Sequence, residues 1–117
     1  MDYEFKTTFW MDFNIAENFG IEAVKDTFKR AFNEWKTNYT FLYELTLVMN
    51  WKSWYHYEKN NIEISKLYAK YFCKLCEYGM KNLKGKERED FYKKFILNRY
   101  ECQLISIKQI WISIDIH

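Results

Sequence analysis

Residues Tyr39 to Tyr57 read YTFLYELTLVMNWKSWYHY, and on a helical wheel this stretch is apolar almost all the way round. Such a helix must be covered by neighbours on several sides. No proline interrupts it, or any other part of the 117 residues. The stretch therefore predicts a small helical domain built around one central rod, and it carries no chemistry of its own.

The rod is expected from about Tyr39 to Glu58, with Thr37-Asn38 supplying the side-chain cap at its start. Phe41, Leu45, Val48 and Met49 lie on one side of it and Tyr43, Leu47, Trp51 and Trp54 on the other. Upstream, Val24, Phe28, Ala31, Phe32 and Trp35 follow the i, i+4, i+7, i+8, i+11 spacing of a single stripe, which predicts a helix from Ile21 to Lys36. Downstream, the polar turn Lys59-Asn60-Asn61 introduces a third helix reaching about Asn82. Its core stripe is Ile64, Leu67, Tyr68, Tyr71, Phe72 and Leu75. A shorter fourth helix, Lys86 to about Asn98, has Phe91, Phe95 and Ile96 to bury after a charged, uncapped start. Short connections favour antiparallel neighbours, hence an all-α, single-domain antiparallel bundle of three to four helices.

Three glycines punctuate the chain. Gly20 closes a short helical turn (Asn14 to Phe19) and Gly85 follows the third helix. Gly79 falls inside a helical pattern, where it costs about 1 kcal/mol relative to alanine and signals close packing. The two ends read differently. Ile110 to Ile116, I-W-I-S-I-D-I, alternates with β-branched residues as a strand does, and Tyr3, Phe5 and Phe9 alternate more weakly. If the two pair, they form a short terminal β-ribbon. If they do not, residues 100–117 are a tail whose strand edge is open to self-association or to a partner's sheet.

Composition bounds the function classes. Hydrophobic residues make up 49% and charged residues 29%, a globular balance in which one core is affordable. The five Trp, ten Tyr and ten Phe are the anomaly, because Tyr and Trp anchor protein interfaces and stack on bases as well as filling cores. Glu44, Asn50 and Lys52 interrupt the apolar run before it reaches a membrane span, and MDYEFK has no signal-peptide apolar block. The expectation is a cytoplasmic protein with no membrane partner. Cys73, Cys76 and Cys102, an odd number without an export signal, read as reduced thiols. Net charge is only +2, but residues 1–34 hold 4 basic and 7 acidic side chains against 14 and 9 in residues 35–117. That asymmetry permits nucleic-acid binding without predicting it.

No catalytic constellation is legible. Cys73-Lys74-Leu75-Cys76 has C-x-x-C spacing, but it lies in mid-helix rather than at a helix N-terminus, where the thiol pKa would fall. Cys73 faces away from the core stripe and Cys76 lies at its flank, so packing explains both. A structural zinc would need two further ligands, and Cys102 with His56 or His117 stands at no recognisable spacing. His56 in W-Y-H-Y-E has no orienting acceptor on its own helix face, since Glu58 points elsewhere. Phosphate loops, zinc-protease and nucleophile-elbow motifs are absent. We read the chain as non-enzymatic, with no cofactor and no metal.

Two binding surfaces compete. Lys66, Lys70, Lys74 and Lys81 lie within about 80° on the wheel of the third helix, opposite its core stripe, as phosphate-tracking residues should. Glu63 and Glu77 share that face and are placed to neutralise it. A second basic cluster, Lys84, Lys86, Arg88, Lys93 and Lys94, is diluted by Glu87, Glu89 and Asp90. Trp51, Trp54, Tyr55 and Tyr57 spread around the last two turns of the central helix, where complete burial is hard. Exposed, they would suit a protein partner or stacked bases; buried, they belong to the core.

Thr7 to Gly20 (TTFWMDFNIAENFG), Ala23 to Lys36 (AVKDTFKRAFNEWK), Val48 to Lys59 (VMNWKSWYHYEK) and Asn82 to Gly85 (NLKG) together resemble a family of small uncharacterised proteins. That family is carried on phages, plasmids and conjugative elements of low-GC bacteria. The likeness covers roughly residues 7 to 92, and the segment from about Ile96 to His117 departs from it. Small non-enzymatic cargo proteins of this setting are often inhibitors of host defence, anti-CRISPR proteins among them, which occupy a nuclease surface or nucleic-acid channel. The resemblance thus implies an inhibitor whose partner is a host protein, a CRISPR effector or another defence nuclease. A nucleic-acid-binding accessory of the element and a self-associating structural protein using its C-terminal strand are the alternatives.

Overall fold

The computed structural model describes the backbone of residues 2–97 and the side chains of residues 8–97. Every element among them is helical: α1 (Asp2–Phe19), α2 (Ile21–Trp35), α3 (Tyr39–Glu58), α4 (Ile62–Asn82) and α5 (Gly85–Phe91), the last running on into a π-helical segment, Tyr92–Leu97. The all-α class stands as expected. The chain divides into two compact units, with the boundary between Val48 and Met49 inside α3.

Five α-helices replace the expected three to four, and the difference lies at the start. The alternation of Tyr3, Phe5 and Phe9 is not a strand, because residues 2–19 form one helix. A stronger period overrides it: Phe9, Phe13 and Ala16, at i, i+4 and i+7, are all buried on one face. The N-terminal arm of the expected ribbon is therefore helical. Its other arm, Ile110 to Ile116, lies outside the described residues, as do Cys102, His117 and the self-association surface assigned to residues 100–117.

In the unit Met1–Val48, Gly20 separates α1 from α2 with φ 108°, a backbone angle that side chains other than glycine's seldom allow. The two helices then pack on each other, burying Val24 and Phe28 of α2. Trp35 and Phe9 both meet the Phe41 ring, with centroids 4.0 and 6.4 Å away. Asn38 caps α3 as expected, its Oδ1 accepting from the Phe41 amide at 3.2 Å. Asn38→Ala should lower stability by about 1 kcal/mol in urea denaturation, and a change below the measurement error would show that the cap contributes nothing.

In the unit Met49–His117, α3 and α4 are joined by Asn60, whose φ of 63° is one that asparagine tolerates. Ser65 Oγ donates to the Ser53 carbonyl at 2.8 Å and pins the two helices together. The α4 core contains Tyr68, Tyr71, Phe72 and Leu75 as expected, whereas Ile64 and Leu67 are half-buried. Cys76 is in the core at 2% exposure rather than at its flank. Gly79 is buried under Phe91: a Cβ built there would collide with the ring, with two of its atoms at 2.7 and 2.8 Å. Close packing is the reason a glycine stands in this helix.

Candidate protein-binding surface

The last turns of α3 sort their side chains by wheel position. At about 100° per residue, Tyr57, Trp54, Trp51 and Tyr55 occupy one continuous arc of about 160°. Met49, Lys52, Ser53 and His56 occupy the other side, and all four are buried. Trp51 and Tyr55, one turn apart, are 39% and 44% exposed. Trp54 and Tyr57 are half-buried and meet edge to face at 5.8 Å. Of the four aromatic candidates, then, two present their rings to solvent and two are half-buried. Lys59 adds a cation at the end of this surface, its Nζ 5.1 Å from the Tyr55 ring centroid.

The buried side holds the surface in place with polar chemistry that the sequence reading passed over. His56 stacks on Tyr68 with ring centroids 5.7 Å apart and planes 10° from parallel. Asn61 Nδ2 lies 3.2 Å from His56 Nδ1, so the amide N–H donates to the imidazole. Lys52 is fully buried, with Nζ 5.8 Å from the same Tyr68 ring, inside the reach of a cation–π contact. At 6% exposure and covered by rings, His56 is positioned to orient α3 against α4 rather than to meet a substrate. The signal for Lys52 was present: it lies four residues after Val48 and seven after Leu45, within the core arc.

The rival lysine face occupies the outside of α4. Lys70, Lys74 and Lys81 are exposed and Lys66 is half-buried, with Glu63 and Glu77 exposed among them. The second basic cluster is largely committed to other work. Lys93 pairs with Glu89 at 2.9 Å, Lys86 with Asp90 at 3.9 Å, and Arg88 Nε donates to the Met80 carbonyl at 3.0 Å, closing the end of α4. The hydrogen bond and charge of Lys93 hold the Glu89 carboxyl below the usual carboxylate range, and Glu89 raises Lys93 in return. A lowered acid stabilises the fold above its ordinary pKa and loses that contribution as pH falls through the folded value; the raised lysine loses its contribution only at high pH. A carbon-detected NMR titration should therefore show Glu89 titrating below the usual carboxylate range, and Lys93→Ala should return it towards that range. The same Glu89 curve in the parent protein and in Lys93→Ala would mean that the pair does not persist in solution.

Among the described residues no three His, Cys, Asp or Glu side chains come together as metal ligands would. No described helix is long and apolar enough to cross a membrane. No family model, curated protein or solved structure matches the chain. The assignment of function therefore rests on surface chemistry.

Sequence reasoning missed a further apolar feature because it confined the first helical turn to Asn14–Phe19 and read only a weak alternation before it. In α1, Met11, Ile15 and Phe19 stand at i, i+4 and i+8 and are 53%, 55% and 80% exposed. Read with helical spacing, they form a second stripe beside the buried one of Phe9, Phe13 and Ala16.

Proposed function

We propose that this chain is a non-enzymatic protein-binding module, and that Trp51 and Tyr55 anchor its partner. One observation carries the reading: two large rings one turn apart are each more than a third exposed, on a helix whose opposite side is locked into α4. Aromatic side chains on a rigid support bury large areas at low entropic cost, which is why Trp and Tyr dominate interface hot spots. Trp54 and Tyr57, on the same arc, would complete the contact.

The resemblance to cargo proteins of mobile elements supports a narrower version. In it the partner is a host defence complex, a CRISPR effector or another defence nuclease, and inhibition works by covering a functional surface. The chain would then act in the cytoplasm of the host. The exposed lysines of α4 support a second reading, an accessory that tracks nucleic acid through Lys70, Lys74 and Lys81, with Lys66 at its edge.

Affinity capture from a lysate of a low-GC host, with and without nuclease treatment, separates the two. The protein-binding reading expects a defence nuclease that stays bound after treatment and binds with little salt dependence. Capture that disappears with the nucleic acid, and binding that falls log-linearly with salt, would assign the function to the lysine face instead.

A further inference from the structure

The exposed stripe of α1 borders a groove of about 420 Å³ that runs between α1 and α2, wholly within the first unit. Ile15 and Phe19 form one wall. Ala23, Thr27 and Ala31 of α2, spaced four residues apart, line the other side with small side chains. The α2 lining extends from Ala23 to Trp35, about 18 Å at 1.5 Å per residue, or three helical turns. Phe19 is the most exposed large apolar side chain among the described residues, at 80%. A groove of this length with a small-residue floor fits the apolar face of one helix.

Charge identifies which helix. Asp12, Asp26 and Glu34 line the groove together with a single cation, Arg30, and all four are exposed. This matches the acidic excess of residues 1–34. A second copy seated face to face would bring these carboxylates against their own counterparts, which opposes a symmetric dimer. We propose that the groove between α1 and α2 docks an amphipathic helix of a partner protein whose apolar stripe is flanked by lysine or arginine. Ile15 and Phe19 supply the apolar contact, and the three carboxylates set the orientation and the preference for a basic partner. The groove belongs to the unit Met1–Val48, whereas Trp51 and Tyr55 belong to the unit Met49–His117.

Two synthetic amphipathic helices of about 14 residues test this, one built from leucine and lysine and the other from leucine and glutamate in the same pattern. Titrated against the full chain by calorimetry, the lysine peptide should bind at least ~10-fold tighter than the glutamate peptide. Ile15→Ser with Phe19→Ser should weaken the lysine peptide by ~10-fold or more, and because both side chains are exposed, the melting curve should not move. Asp12→Asn, Asp26→Asn and Glu34→Gln together should erase the preference between peptides. Equal binding of the two peptides overturns the proposal, as does lysine-peptide binding that survives the serine variant. Sedimentation showing a dimer that Phe19→Ser dissociates would give the face to a second copy and overturn it as well.

Discussion

Phe91→Ala should lower the unfolding free energy by about 3–5 kcal/mol, a large share of what a domain of this size possesses. The ring is fully buried, lies directly over Gly79 of α4, and packs on Phe95 at 4.9 Å. Phe95 in turn meets Phe72 edge to face at 6.1 Å, so removing Phe91 opens a cavity that stiff aromatic neighbours fill poorly. The partner variant tests the geometry. Gly79→Ala would ordinarily gain about 1 kcal/mol of helix propensity, but here the added methyl collides with the ring and overpacking of about 1–3 kcal/mol opposes it. Combined with Phe91→Leu, the same alanine should become neutral or stabilising, giving a coupling of about 1–2 kcal/mol in a double-mutant cycle read by urea denaturation. Additive effects would show that the α5 ring does not rest on Gly79.

Trp51→Ala with Tyr55→Ala should weaken capture of the protein partner by about 100-fold or more, at least ~2.8 kcal/mol shared between two hot-spot rings. Stability should fall by only about 1–2 kcal/mol, since each ring keeps more than a third of its surface in water and the buried side of α3 is untouched. The contrast between the two readouts is the test. A binding loss that parallels a larger loss of stability would mean that the rings support the fold, and unchanged capture would remove them as anchors. Alanine at Lys70, Lys74 and Lys81 should leave protein capture intact, whereas the nucleic-acid reading requires it to fail and the salt slope to flatten.

Much of the helical framework was legible because it depends on spacing alone. The bounds of α3 and α4 follow from an apolar pattern at helical spacing, closed by Asn38 on one side and by the Asn60-Asn61 turn in the middle. Gly79 was readable as a packing site because glycine in a helix interior is unfavourable without a neighbour that needs the space. The start of the chain was misread because Tyr3, Phe5 and Phe9 fit a period of two over a short window. The longer series Phe9, Phe13, Ala16 fits a helix only when the window is extended. On the candidate surface, all four aromatic positions were legible as spread around the last two turns of the helix, but their division into two exposed and two half-buried rings was not.

The sequence by itself determined that most of the described residues are helical, where the apolar helix α3 lies and which faces of α3 and α4 are rich in apolar residues, because helix periodicity and capping are local properties of the chain. Only the tertiary structure decided that Lys52 and His56 turn inward onto Tyr68, that Phe91 closes over Gly79, and that Trp51, Tyr55, Ile15 and Phe19 stay in contact with water. A wheel assigns each residue a direction. Whether another helix covers that direction depends on packing between segments distant in sequence, and it is the uncovered directions that are left for a partner.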